Sequence, residues 1–196
     1  MAPQIDLATA AAELSALLAG VRDDQLTAPT PCADFTVADL IDHVDGLCPV
    51  YAAAAVKRPS PPQPEGPSGD GSRLPADWRT SIPPHLDALA LAWSDPAAWA
   101  GTTRVSGHEA PAQVAGVLLL TELIVHGWDL ARATARPYTG DPETLGPCLT
   151  LVSPLFPPDQ RGADSYFAPA VEVPADASPL DHLIAFMGRH PSWTPS

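Results

Sequence analysis

The sequence predicts an all-α protein: a bundle of four main helices with a long crossover between helices 2 and 3 and a short helical C-terminal extension. Three observations predict this class. Apolar residues recur at helical spacing in four long segments, a single segment resembles a strand, and the 25 prolines cluster between these segments. Four helices with one long crossover form a known bundle topology, and the cores of such bundles bind metals between facing helices.

The first two helices are predicted at residues 5 to 20 and 36 to 57. The N-terminal stretch lacks the basic region of a secretory signal, so its apolar residues are assigned to a helix of the fold. Helix 2 begins after Thr36, which forms a capping box with Asp39, where Asp takes the usual Glu or Gln position. The apolar residues of helix 2 fall on one face: Val37, Leu40, Val44, Leu47 and Tyr51.

The crossover is predicted at residues 59 to 75, PSPPQPEGPSGDGSRLP, because this is the clearest loop composition in the chain. Helix 3 is predicted at 76 to 93, where Pro83 and Pro84 should kink or split it. The strand-like segment follows at 99 to 109, WAGTTRVSGHE.

Helix 4 is predicted at 111 to 135, with Pro111 well placed to start it. It contains VAGVLLLTELIVHGWDL, which is too apolar for a surface helix. Shorter helices are predicted near 142 to 152 and 178 to 188. The chain then divides, within one structural domain, into a four-helix bundle and a helical extension packed on it: 1–136 and 137–196.

Helix 4 also contains an unusual polar pair. Glu122 and His126 are four residues apart, so they point the same way, into the protein. A buried carboxylate needs a cation, a proton or a metal beside it, and no lysine is near in sequence. His43 lies at the edge of the inward face of helix 2. Together the three residues form a His₂Glu set that suits Zn²⁺ with an open coordination position.

Other interpretations of these residues remain open. The same set matches the two-histidine, one-carboxylate pattern of non-haem iron. Glu122 and His126 also fit a simple hydrogen-bonded pair, and His43 fits a core histidine, because E-x-x-x-H is less specific than H-E-x-x-H.

Two longer motifs carry a family resemblance. TPCADFTVADLIDH, at 30 to 43, is followed by ELIVHGWDLARAT, at 122 to 134. Together they resemble the metal-binding domain of the mycothiol-dependent maleylpyruvate isomerase family, a group of DinB-like four-helix-bundle metalloproteins, in an actinobacterial branch. The resemblance spans residues 5 to 136, and FMGRHPSW, at 186 to 193, resembles the end of that branch. It implies that His43, Glu122 and His126 are the metal ligands.

The resemblance implies a metal-dependent thiol transferase or isomerase. Mycothiol would be the thiol that the metal, zinc by expectation, activates toward an unknown electrophilic substrate. The isomerase itself has a larger C-terminal domain, so its reaction does not carry over. The alternatives are a non-catalytic metal-containing binding or stress-response module and a metal-assisted hydrolase, for which no general base is identified. Substrate contacts are expected from the loops at 59 to 75 and 99 to 110.

Two further residues have open roles. Asp129 follows His126 by three residues and either orients it or is a helix-surface charge. Cys32 precedes a helix N-terminus, where a thiolate is favoured, although a structural cysteine is the commoner case.

Composition limits the partners and the location. The net charge of −13, with ten Lys plus Arg, argues against binding to nucleic-acid phosphates. No apolar run has the length and lack of charge of a membrane span. The three cysteines form no C-x-x-C pair and suit a reducing compartment, so we expect a cytoplasmic protein. We expect it to be a monomer or a homodimer.

Overall fold

The computed structural model describes residues 5–62, 68–157 and 168–195, and these residues form a helical bundle with one small hairpin. The predicted all-α class with four main helices is confirmed. The helices are α1 (Ala8–Ala19), α2 (Val37–Ala55), α3 (Trp78–Trp93), α4 (Ala112–Ala133), α5 (Pro142–Val152) and α6 (Pro179–Phe186). The hairpin consists of β1 (Thr102–Val105) and β2 (His108–Pro111), which pair antiparallel at the end of the predicted strand-like segment.

The long crossover between α2 and α3 is confirmed, and it makes these two helices parallel. Trp93 Nε1 donates to the Tyr51 carbonyl at 3.0 Å, and His85 Nδ1 lies 2.7 Å from Asp45 Oδ1. Both contacts join residues that advance in the same direction along the two helices. The chain must therefore return along the whole length of α2 before α3 begins. Residues 63–67 of the predicted loop lie outside the described residues.

Helices α1 and α4 form a second parallel pair beside α2 and α3. Arg136, just after α4, donates to the carbonyls of Ala16 and Leu17 near the end of α1, so α1 and α4 run in the same direction. Arg79, at the start of α3, donates to the Val21 carbonyl just after α1, so α1 and α3 are antiparallel. In the resulting bundle, α1 packs on α3 and α4, and α2 packs on the same two helices.

Helix α3 corrects one expectation. It is continuous from Trp78 to Trp93 although Pro83 and Pro84 lie inside it, so the two prolines do not split it. Two helical hydrogen bonds are lost at these positions, because proline has no N–H. Ile82 and Leu86, on either side, are fully buried in the core, and their packing holds the segment in place.

Helix α4 is the central helix of the core. It is long and apolar enough to cross a membrane, but 83% of its most apolar window is buried within the protein, which is the property of a core helix. The C-terminal helices cover it, since α5 packs on α4 and α6 packs on α5. The division of the chain after residue 136 stays a prediction.

Candidate metal centre

The structure brings the three predicted ligands together between α2 and α4. His126 Nε2 lies 2.9 Å from Glu122 Oε2, and His43 Nε2 lies 3.7 Å from the same oxygen. One ligand atom from each residue fits within 4.8 Å of the others. The side chain of His126 is 5% exposed, while those of His43 and Glu122 are 15% and 19% exposed, so the cluster is sheltered but reachable.

His43 is positioned by the first turns of α2. The predicted capping box is present: Thr36 Oγ1 accepts from the Asp39 amide at 3.3 Å, and Asp39 Oδ2 accepts from the Thr36 amide at 2.8 Å. His43 Nδ1 lies 3.3 Å from the Ser68 carbonyl in the crossover, and its ring centroid lies 5.5 Å from that of Phe35. With the proton on Nδ1, His43 donates to this carbonyl and directs Nε2 toward Glu122.

The crossover is fixed against α2 by the acidic residues that flank His43. Asp39 Oδ1 accepts from the Gly71 amide at 2.6 Å. Asp42 Oδ2 accepts from the Asp70 amide at 3.0 Å and from Arg73 Nη2 at 2.6 Å. The loop therefore returns to the start of α2 at the level of the cluster, which explains how Ser68 reaches His43.

His126 is oriented by Asp129. Asp129 Oδ2 lies 3.0 Å from His126 Nδ1, and Asp129 is fully buried. This geometry excludes the interpretation of Asp129 as a helix-surface charge. It leaves Nδ1 of His126 as the donor to a carboxylate and Nε2 facing Glu122, the arrangement that fixes the tautomer of metal-binding histidines.

Arg189 is a member of this cluster that the sequence did not predict. Its Nη2 and Nε atoms donate to Asp129 at 3.1 and 3.4 Å, and the residue is 8% exposed. Helix α6 ends in a Schellman turn. The backbone amide of Gly188 (φ +82°) donates to the Ala185 carbonyl, and the backbone amide of Arg189 donates to the Ile184 carbonyl. The Gly-Arg pair at the end of the predicted helix was the available signal, because glycine reverses the chain and directs the next residue back to the bundle.

The surroundings of Glu122 and His126 favour the charged form of both side chains when no metal is bound. Burial alone would raise the pKa of Glu122, but the hydrogen bond with His126 and the nearby imidazole of His43 hold it well below its usual range. Burial alone would lower the pKa of His126, but hydrogen bonds to Asp129 and Glu122 raise it to about 8. In metal-free protein the 2.9 Å contact between them is therefore an ion pair that holds a proton on Nε2.

The donor set fits a divalent ion. Both Nδ1 atoms face oxygen acceptors, and both Nε2 atoms face one carboxylate, so two imidazoles and a carboxylate converge on one point. A simple hydrogen-bonded pair would need one histidine. Three protein donors leave a tetrahedral ion one open position.

A cavity of about 1450 Å³ opens beside the cluster. Its wall includes Pro61, Pro62 and Ser68 of the crossover and Val105, Ser106 and His108 of the hairpin, as expected for the two loops. It also includes Phe156 and the segment from Met187 to Arg189, which the sequence interpretation did not place there. The C-terminal extension thus contributes to the same cavity as the bundle.

The remaining candidates lie at the edges of the site. Cys32 lines the cavity, but burial raises the pKa of its thiol to about 11, which disfavours a nucleophilic thiolate. His85 pairs with Asp45 at the cavity wall. His108 and His190 are exposed, and His182 is half-buried. Trp128 is 4% exposed and belongs to the core rather than to the wall of this cavity.

Comparisons with known proteins identify the family of this chain. Residues 7–131 match the profile of the mycothiol maleylpyruvate isomerase N-terminal domain family. Uncharacterised proteins from two strains of Mycobacterium tuberculosis are each 35% identical over 181 residues, which cover 89% of this chain and 91% of theirs. Two crystal structures of a mycothiol-dependent maleylpyruvate isomerase are each 21% identical to this chain in sequence. The TM-score is 0.48 for a mutant of that enzyme and 0.43 for the second structure. The match covers 63% of this chain and spans 57% of the isomerase chain. By its profile match and its relatives, the chain belongs to the mycothiol maleylpyruvate isomerase N-terminal domain family.

Proposed function

We propose that this protein is a metal-dependent thiol transferase or isomerase in which His43, Glu122 and His126 hold a zinc ion. Mycothiol, the thiol in the family's name, is the proposed cosubstrate. The second substrate is an electrophile. When bound, a divalent ion with an open position lowers the pKa of a thiol that occupies it. We expect the protein to work in the cytoplasm as a monomer or homodimer.

One observation carries the proposal: two imidazoles from different helices present Nε2 to the same carboxylate, and each has its Nδ1 occupied by an oxygen acceptor. An acceptor at Nδ1 fixes the other nitrogen as a free lone pair and raises its basicity, which is the usual second contact of a metal-bound histidine. Asp129 and the Ser68 carbonyl take this role for His126 and His43.

The charges of the buried cluster favour an anionic ligand at the open position. With neutral imidazoles, Glu122 and Asp129 carry two negative charges against the single positive charge of Arg189. A divalent cation reverses the sign of this total to one positive charge. An anionic sulfur then restores neutrality in a sheltered site, whereas a neutral thiol leaves the excess charge unbalanced.

Metal analysis tests the ligand assignment. We expect about one divalent ion per chain in wild type, and loss of the ion in His126→Ala without loss of helical content, because packing supplies most of the stability of a bundle. His182→Ala is the matched control, since His182 is half-buried and lies outside the cluster. Stoichiometric metal in both His43→Ala and His126→Ala would refute the assignment.

Calorimetry with mycothiol tests the role of the metal. Binding should release a proton as the sulfur becomes a thiolate, so affinity should rise with pH until hydroxide competes for the same position. A des-thiol analogue should show neither effect. Equal binding of the analogue, or no proton release in buffers of different ionisation enthalpy, would mean that sulfur does not reach the metal.

A metal-assisted hydrolase is the second candidate, and one contact favours it. His85 Nδ1 lies 2.7 Å from Asp45 Oδ1, and both residues line the cavity, so the pair offers the general base that this reaction requires. Thiol-independent ester hydrolysis that is lost in both His126→Ala and His85→Gln would favour this candidate. Mycothiol binding with no turnover of any electrophile or ester would favour a non-catalytic binding module.

A further inference from the structure

The positive charges on the described part of the cavity wall are already neutralised. Two guanidinium groups line the cavity among the described residues, Arg73 and Arg189. Arg73 Nη2 lies 2.6 Å from Asp42 Oδ2, and Arg189 Nη2 lies 3.1 Å from Asp129 Oδ2. A carboxylate substrate is normally held by an arginine or lysine that is free to pair with it. To bind one here, either arginine would have to leave a carboxylate of the protein.

The acidic side chains of the wall outnumber these arginines. Four carboxylates line the described part of the cavity, against the two guanidinium groups: Asp34, Asp42, Asp45 and Glu122. A divalent ion at the proposed site would balance the difference, and a thiolate beside it would make the wall negative again. The net charge of −13 adds a repulsive field around the entrance. An anionic second substrate would therefore meet no spare counter-charge among the wall residues that the structure describes.

Much of the remaining wall is apolar. Large side chains from four parts of the fold meet there: Phe35, Leu118, Val105, Phe156 and Met187. Phe35 lies directly beside His43, so the apolar wall reaches the proposed metal position. The volume of about 1450 Å³ exceeds that of a usual single-ligand pocket and leaves room for a second molecule next to a thiol.

We infer that the electrophile is an uncharged, apolar molecule rather than a dicarboxylate such as maleylpyruvate. This inference rests on the proposed function and names the substrate class of that site. For an unsaturated ester, the sulfur forms a C–S bond to one alkene carbon while the C=C π bond breaks. The neighbouring carbon takes a proton, equivalent to the one that the thiol released. The sum is addition of the thiol across the double bond, without oxidant or reductant.

A matched pair of electrophiles tests the inference. Dimethyl maleate and maleate share a carbon skeleton, but the first is neutral and the second is a dianion. The metal-loaded protein with mycothiol should accelerate thioether formation, relative to the same mixture without protein, by a factor about tenfold larger for the ester. Equal or greater acceleration for maleate would overturn the inference, and so would the absence of ester turnover by protein that binds mycothiol with proton release. Absence of mycothiol binding would instead locate the failure in the proposed function and remove the basis of the inference.

A charge variant provides a second measurement. Asp42→Asn removes the carboxylate nearest to Arg73, so acceleration with maleate should rise several-fold relative to the ester. Asp24→Asn is the matched control, because it removes the same charge from an exposed pair with Arg22, where both side chains are well over half exposed. An equal rise in both variants would show that net charge alone determines the preference, and would overturn the role of the paired arginine.

Discussion

Replacing Arg189 by methionine should show what the buried ion pair with Asp129 contributes to stability and to metal binding. The substitution removes the guanidinium from Asp129 but keeps an unbranched side chain of similar length. Asp129 is fully buried, and within the part of the chain that the structure describes its side chain contacts Arg189, at 3.1 and 3.4 Å, and His126, at 3.0 Å. The variant thus leaves a buried carboxylate with one imidazole as its remaining partner.

The size of the effect follows from burial. Breaking a buried ion pair by removing one partner costs about 3–5 kcal/mol, because the other charge stays in the interior without compensation. Arg189 is 8% exposed, so little of this is screened by solvent. The substitution should also weaken metal binding, for a separate reason. Asp129 is left without the contact that fixes its own position, and loss of such outer contacts weakens metal binding about 10–100-fold.

Urea denaturation and metal competition with a chelator measure the two effects in the same samples. The double variant Asp129→Leu with Arg189→Met removes both charges, so it should regain most of the stability but not the metal affinity, because His126 then loses its acceptor. Arg22→Met, in the exposed pair with Asp24, should change neither quantity. Wild-type stability and metal affinity in Arg189→Met would refute the reasoning, as would metal affinity restored by the double variant.

Three further predictions follow from the same geometry. Glu122→Gln should keep the fold but weaken metal binding about tenfold or more, roughly 1.4 kcal/mol, as a chelator titration would show, since the amide supplies no charge. In metal-free protein, the stabilisation from His126, whose pKa is raised from 6.5 to about 8, should be fully present below pH 6.5 and lost as pH rises through 8; His126→Gln should abolish this dependence in denaturation curves. Gly116→Ala should cost about 1–3 kcal/mol, because its Cβ would lie 2.5 Å from the Trp99 ring, whereas Gly46→Ala, with nothing within 4 Å, should gain about 1 kcal/mol.

The bundle was predictable from local signals. Helix 4 was predicted at 111 to 135 and spans Ala112–Ala133, because its apolar stripe and the proline before it mark both its face and its start. The capping box at Thr36 and Asp39 is present as predicted. Two of the proposed ligands, Glu122 and His126, were predictable for the same reason: four-residue spacing on one helix determines which side chains share a face.

The rest of the site depends on contacts between distant parts of the chain. Arg189 and Asp129 are 60 residues apart, so no local pattern links them. The sequence also left two interpretations of Asp129, as a residue that orients His126 or as a surface charge. The sequence of one helix does not show which other segment packs over a given side chain. Of the kink or split expected in helix 3 at Pro83 and Pro84, the split does not occur, since tertiary packing at Ile82 outweighs the two missing hydrogen bonds.

These distant contacts imply that the ligands and their orientation come from different segments. The family match covers residues 7–131, which include all three proposed ligands and Asp129 but not Arg189. A chain with the same bundle and a different C-terminal segment would keep the ligands while Asp129 lacked its guanidinium. The metal affinity and the charge of the cavity wall would then change without any change in the ligands. In this protein the Schellman turn at Gly188 therefore links the extension to the chemistry of the bundle, because it directs Arg189 onto the carboxylate that orients His126.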